Sequence, residues 1–361
     1  MRLAFFNWRD MKHPNAGGAE VFVHQIAKRL VERGHEVSLF TSSFNNSLPR
    51  EEIDGITHVR YGGRFSIYAL APLCYSRHVK GRFDAIVESI NGMPFFTPLF
   101  AKEKVFSLVH QLTGPNWYSG LPAPIAFFGF HAEKPLLSLY KHTPCIVPSG
   151  STMDDMKQLG FNRLRIVYGA AEVSPPKSKK SSAPALLYLG RLTRSKRVDH
   201  ALLAFRRIID EMPDARLWVA GSGPDEHRLR ALVAQSGLSP WVTFFGHVNE
   251  EQKVRLLSSS HLMLFPAVRE GWGLTVLEAN ACGTPVIGYD VPGLRDSIRD
   301  GVNGFLAKDG DSGNMADKAL RLLKSTNTLR KISRSAKSYS SQFSWDSSAK
   351  EFESILEREV G

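Results

Sequence analysis

The chain has 361 residues, 43% hydrophobic and 22% charged, with a formal charge of +11. That is the composition of a soluble globular protein with length for two cores, and the positive excess favours anionic partners. Three scattered cysteines, Cys74, Cys145 and Cys282, exclude a disulfide framework and a paired metal spacing and fit a reducing compartment. No apolar run reaches the about 18 residues of a spanning helix, and no secretory apolar region precedes the first strand pattern, so the expectation is a cytoplasmic chain, or one peripheral on the inner membrane face.

Residues 3–6 predict a first strand, followed by a polar loop that ends in Gly17-Gly18. A helix is expected over residues 20–33, with Gly34 as its stop signal, and a second strand over residues 36–40. This βαβ opening puts a glycine loop at a strand's C-terminal end, where doubly wound folds bind ligands, but it lacks the G-x-G-x-x-G of a dinucleotide site. Further strands are expected at 56–61, 84–88, 104–110 and 143–148, with a helix at 151–159 and a last strand at 165–168. His110 closes one of these strands, where such sheets expose site residues. The stretch 55–83 carries Arg60, Arg64, Arg77, Lys80 and Arg82 and no acid. Within it, residues 63–80 read either as an interfacial helix or as an ordinary helix with a basic outer side. Residues 121–140, with Phe127, Phe128 and Phe130, read equally as an acceptor-cleft lining, a lipid contact or core.

Residues 173–184 are rich in Pro, Ser and Lys without apolar periodicity and read as an interdomain linker. The expected division is a first domain over 1–172, a second over 185–340, and a final helix over 341–361 returning to the first. The second domain alternates strands and helices again. Its loops carry Arg191 and Lys196, then Gly221-Ser222-Gly223, then Gly246-His247-Val248. After the strand 261–265 comes R-E-G-W-G-L-T-V-L-E-A-N-A-C-G, residues 269–283, with Glu270 in the loop and Glu278 in the second turn of a helix starting near Leu274. Strand, glycine loop and helix present free backbone N–H groups to an anion. Two cations on a strand-to-helix loop can hold a diphosphate and stabilise a leaving phosphate. All these features fall at the C-terminal ends of successive strands or on the helix after one, and so converge on one sheet rim. Asp309-Gly310-Asp311 matches D-x-D but precedes a helix, where Asp311 is expected to be a cap rather than a metal ligand.

The run from Glu270 to Glu278 resembles the E-x7-E motif of the retaining glycosyltransferases of family four, and the order of loops resembles their nucleotide-sugar half. The resemblance implies an α/β fold of two Rossmann-like doubly wound domains facing across a cleft, the GT-B fold. It further implies that Arg191 and Lys196 bind the donor diphosphate and that the backbone of Gly273, Leu274 and Thr275 adds N–H groups at the helix tip. Glu278 would meet the ribose hydroxyls, Glu270 the transferred sugar, and Gly221 with the His247-Val248 turn the nucleotide and its base. In the first domain Gly17 and Gly18 match the family's glycine loop over the donor phosphates, and His110 matches a sugar-contacting histidine. Trp272 stands where the family usually has Phe.

The activity so implied is retaining transfer of a hexose from a UDP- or GDP-sugar to an acceptor hydroxyl, with no essential metal, no cofactor and no protein nucleophile. The expected partners are that donor, a glycan or lipid-linked acceptor and an anionic membrane surface. A soluble sugar or small-metabolite acceptor stays open. The rival readings are a nucleotide-sugar-binding protein without transfer and a sugar-nucleotide epimerase; the second needs first-domain carboxylate pairs that are not evident. No nucleic-acid motif accompanies the charge.

Overall fold

A computed structural model describes residues 1–119, 122–176 and 180–360. Leu121, linker residues 177–179 and Gly361 lie outside the described residues. The chain forms two units, Met1–Gly169 with Trp345–Gly361, and Ala170–Ser344.

The first unit runs β1 (Arg2–Phe6), α1 (Gly18–Glu32), β2 (Glu36–Thr41), β3 (Arg50–Ile53), β4 (Ile56–Arg60), α2 (Ser66–Cys74), β5 (Ala85–Ile90), β6 (Lys104–Val109), α3 (Ala123–Leu137), β7 (Cys145–Val147), α4 (Gly150–Gln158) and β8 (Leu164–Ile166). Its sheet has the order β3-β4-β2-β1-β5-β6-β7-β8 and is parallel except for β3. Successive side chains of a strand point to opposite faces, and β1 uses both. Phe6 stacks on Phe40 at 5.3 Å on the side covered by α2, whereas Phe5 meets Phe352 at 6.1 Å on the other. Phe352 belongs to the last helix of the chain, Trp345–Val360, which packs on α1. Burying that phenyl ring stabilises the return of the chain end by about 2 kcal/mol.

The second unit runs β9 (Ala185–Leu189), α5 (Val198–Glu211), β10 (Arg216–Ala220), α6 (Glu226–Gln235), β11 (Val242–Gly246), α7 (Glu250–Ser259), β12 (Leu262–Phe265), α8 (Leu274–Ala281), β13 (Val286–Tyr289), α9 (Leu294–Ser297), β14 (Gly304–Ala307), α10 (Ser312–Leu323) and α11 (Thr326–Ser340); the returning helix is α12. Its sheet, β11-β10-β9-β12-β13-β14, is parallel throughout. Every residue of β9, β12 and β13 is buried, so these strands read as unbroken apolar runs between two helical layers.

Two elements depart from the sequence reading. β3 is an antiparallel edge strand of sequence R-E-E-I, and its charges left no apolar alternation to detect. α11 buries only Ile332, Ala336, Tyr339 and Ser340, too thin a stripe to stand out among its Ser, Lys and Arg residues. Among the described residues no helix is long and apolar enough to cross a membrane.

Candidate active site

In the second unit the parallel order places the C-terminal ends of β11, β10, β9, β12 and β13 on one rim. Glycines permit the close approach of the first three. The amide of Gly190 donates to the carbonyl of Ala220 at 3.0 Å, and that of Gly221 to the carbonyl of Gly246 at 2.7 Å. Gly221 adopts φ +132°, and a Cβ there would lie 1.9 Å from the carbonyl oxygen of Gly190. No other residue type fits that position.

Arg191 leaves β9 with its side chain exposed, while its carbonyl accepts the buried Tyr188 hydroxyl at 2.9 Å. Lys196 ends a single 3-10 turn, Arg194–Lys196, and its Nζ is bound to Oε1 of Glu270. Both side chains are largely shielded, at 16% and 15% exposure, and the ammonium sits 5.5 Å from the Phe265 ring centroid. Backbone bonds hold the two loops in register: the amide of Val268 donates to the carbonyl of Ser195 at 2.9 Å, and that of Glu270 to the carbonyl of Pro292 at 3.1 Å. From the far side Gly293 presses on the Glu270 backbone, because a Cβ on it would lie 2.0 Å from the Glu270 oxygen.

α8 starts directly behind this loop. Gly273 precedes it at φ +90°, a left-handed conformation that aims the helix, and the Leu274 and Thr275 amides belong to the first turn, which has no intrahelical acceptors. Glu278, one turn further, receives the Lys253 ammonium of α7 at 2.7 Å, and Lys253 also meets Glu250 at 2.8 Å. Burial alone would lower the Lys253 pKa; the Glu278 and Glu250 carboxylates outweigh it, and the ammonium is held more firmly charged than usual. His247 and Val248 form the turn before α7, which Asn249 caps through a reciprocal bond pair with Gln252. The His247-Val248 turn thus leads into the helix whose lysine engages Glu278. Lys253 and Gly293 escaped the sequence reading. Only their placement against Glu278 and Glu270 marks them.

The first unit carries Gly17, Gly18 and His110. Gly17 precedes α1, its amide donating to Oε2 of Glu20 at 2.8 Å. Its φ is −150°, and a Cβ would meet nothing closer than 3.6 Å, so packing within the chain does not demand glycine here. The loop ahead of it is more buried than its polar sequence suggested. Asp10 accepts Arg60 Nε at 2.6 Å and the Lys12 amide at 2.9 Å. Burial opposes ionisation of Asp10, but the His58 ring and the Arg60 guanidinium hold its carboxyl below the ordinary range. His110 is 6% exposed, with Nε2 at 2.9 Å from the Ser89 hydroxyl and its ring edge-on to Phe22 of α1.

Asp311 caps α10 by accepting the Asn314 amide at 2.8 Å, and Asp309 pairs with Arg197. Among the described residues no group of three or more His, Cys, Asp or Glu is arranged to hold a metal.

Residues 171–339 match the family described as Glycosyl transferases group 1, and residues 16–174 match Glycosyltransferase Family 4. The uncharacterized glycosyltransferase MJ1607 of Methanocaldococcus jannaschii is 34% identical over 97% of this chain and 96% of its own. The chain belongs to the group 1 glycosyltransferases.

Solved structures agree on the fold of this glycosyltransferase. Sucrose-phosphate synthase from Thermosynechococcus elongatus superimposes with a TM-score of 0.84 at 21% identity, covering 99% of this chain and 98% of that one. HepE of Anabaena, solved in complex with UDP-glucose, gives 0.78 at 17% identity over 99% of this chain and 100% of its own. The architecture is GT-B, with two parallel-sheet α/β domains.

Burial lowers the His110 pKa in this glycosyltransferase from 6.5 to about 4, so the imidazole is neutral at pH 7. Between those values the unfolded chain binds a proton that the folded chain refuses, so stability falls as pH drops from 6.5 to about 4 and His110 adds nothing to the pH dependence above that window. Urea unfolding of wild type and His110→Gln at pH 7 and pH 4.5 is expected to show a shallower loss in the variant, by up to about 3 kcal/mol. Equal losses in both proteins would contradict a buried neutral His110.

Proposed function

We propose that this glycosyltransferase moves a hexose from a UDP- or GDP-sugar to an acceptor hydroxyl with retention of anomeric configuration. The observation that carries the reading is the shielded Lys196–Glu270 pair next to the N-terminus of α8. It combines a fixed cation and free backbone N–H groups, suited to a departing diphosphate, with a carboxylate suited to sugar hydroxyls. Lys196 and Arg191 take the diphosphate, and the amides of Gly273, Leu274 and Thr275 add to its stabilisation. Glu270 binds the transferred sugar. Glu278 accepts the ribose hydroxyls; burial raises its pKa, and the Lys253 ammonium that orients it opposes that rise. Gly221 and the His247-Val248 turn flank the nucleoside. Gly17 and Gly18 offer backbone without side chains for close approach to phosphate, and neutral His110 contacts the sugar.

Retention follows without a protein nucleophile. The sugar–phosphate bond breaks, and the acceptor oxygen attacks the face that the diphosphate leaves. The acceptor's proton passes to the departing phosphate oxygen. Positioning and leaving-group stabilisation carry the rate, with no cofactor and no essential metal in this reading. A lipid-linked or membrane-surface glycan is the proposed acceptor class, supported by the acid-free stretch 55–83.

Calorimetric titration of UDP, GDP and ADP without added metal, into wild type and Glu278→Ala, tests the donor half. One nucleotide is expected to bind saturably and to lose about tenfold or more in affinity in the variant, the cost of a charge-assisted hydrogen bond. Absence of binding by all three nucleotides would overturn the assignment.

A further inference from the structure

α3 is built the wrong way round for a surface helix. Ile125, Phe127, Phe128 and Phe130 are 55%, 59%, 66% and 37% exposed, whereas the stripe turned inward is Ala126, Gly129, Glu133 and Leu137. A surface helix ordinarily buries its large apolar residues and exposes its charges. The orientation is set by specific contacts. Gly129 lies flat on the Trp117 indole, where a Cβ would come within 2.4 Å, and Glu133 accepts the Gly114 amide at 2.9 Å. The outward rings form a continuous patch. The Phe127 and Phe130 centroids lie 4.3 and 5.2 Å from that of His131, and Tyr118 stands 5.8 Å from Phe130.

Along the chain, the exposed charge flanking this patch has one sign. Between Glu103 and Asp154 the only acid is Glu133, which is turned inward, while Lys134, Lys141 and His142 are exposed. A second copy docking through the same face would bring like charges together. An anionic bilayer complements both features, with aromatic rings at the headgroup–acyl boundary and lysines against lipid phosphates. With 15 residues and an internal Pro135, α3 suits lying in that boundary rather than crossing it.

We propose that α3 docks this glycosyltransferase on an anionic lipid surface, with Phe127, Phe128 and Phe130 inserted and Lys134 and Lys141 facing the headgroups. This deepens the membrane-acceptor reading, but it concerns adsorption of the first unit and is measured without any transfer reaction.

The test is partitioning of the full chain onto phosphatidylcholine vesicles with and without phosphatidylglycerol at low salt, for wild type, Phe127→Ser/Phe128→Ser and Lys134→Glu/Lys141→Glu. Wild type is expected on the anionic vesicles, with at least about a tenfold loss of partitioning in the serine variant from the lost apolar burial and a salt-sensitive loss in the glutamate variant. The native cysteines are buried, so Phe128→Cys takes an environment-sensitive dye selectively, and its emission is expected to shift blue on adsorption. Circular dichroism and the thermal transition of the serine variant report an intact fold, and its nucleotide affinity, measured by the same calorimetry, keeps failure here separate from failure of the donor assignment. Equal partitioning of wild type and serine variant, or a dye that stays in water, overturns the proposal. So does a wild-type dimer on gel filtration that the serine variant abolishes, which would give the patch to a second copy.

Discussion

Lys196→Ala is expected to lower kcat/KM for sugar transfer about 100- to 1000-fold, the range seen when one donor is removed from a developing anion in a shielded site. The ammonium is positioned before substrate arrives, through Glu270, the Phe265 ring and the Val268–Ser195 backbone bond. That preorganisation makes it worth more than a solvated surface lysine. The substitution also strands Glu270, a carboxylate at 15% exposure, so a stability loss of about 1 to 3 kcal/mol accompanies the kinetic effect. The two are separable. Thermal unfolding reports the second, and kcat/KM measured well below the transition reports the first. Glu270→Gln alone and combined with Lys196→Ala closes a double-mutant cycle; a non-additive result is expected, because the groups touch. A loss of only a few-fold in Lys196→Ala would remove leaving-group stabilisation from its role.

Gly293→Ala is expected to cut transfer about 100-fold while leaving most of the protein folded. Gly293 touches no expected ligand. It adopts φ +82°, and its missing side chain is where the Glu270 backbone runs, with a Cβ calculated at 2.0 Å from the carbonyl oxygen and 2.5 Å from the carbonyl carbon. A methyl group must therefore push the Glu270 loop outward, on top of about 1 kcal/mol for left-handed strain. A displacement on the order of 1 Å in a positioning residue costs about 100-fold in rate. KM for the donor and kcat should both change, whereas circular dichroism should not. Gly34→Ala is the control: Gly34 has a similar φ of +88°, but a Cβ there meets nothing within 4 Å. It should lose a little stability and no activity. Wild-type kinetics in Gly293→Ala would mean that transfer does not depend on where Gly293 lets the Glu270 loop run.

Much of the second unit was legible in the chain because its signals are local. The apolar runs of β9 and β12, the glycines that end strands and the helix stop at Gly283 depend on neighbours in sequence, and the run Glu270–Glu278 is specific enough to carry a family resemblance. Asp311 as a cap was readable for the same reason, since a cap bonds an amide three residues on. What failed was non-local or carried no apolar contrast. β3 is held as an edge strand by pairing with β4, and its charged residues were indistinguishable from a loop. The loop after β1 read only as polar, yet Asp10 in it sits at 1% exposure because Arg60, fifty positions away, lies beside it.

By itself, then, the amino-acid order determined the class of the chain: two α/β units and a loop order that resembles that of glycosyltransferases, with most candidate site residues falling on one sheet rim. Tertiary structure alone decided how that site is wired. Lys196 with Glu270, Lys253 with Glu278 and Gly293 beneath the Glu270 backbone are contacts across 74, 25 and 23 positions. Periodicity and turn chemistry report only a residue's immediate neighbours, so such pairings have no signature in one sequence. The outward turn of α3 has the same origin. Its apolar residues looked equally fit for core, cleft or lipid until Gly129 and Glu133 were seen to hold the opposite side inward.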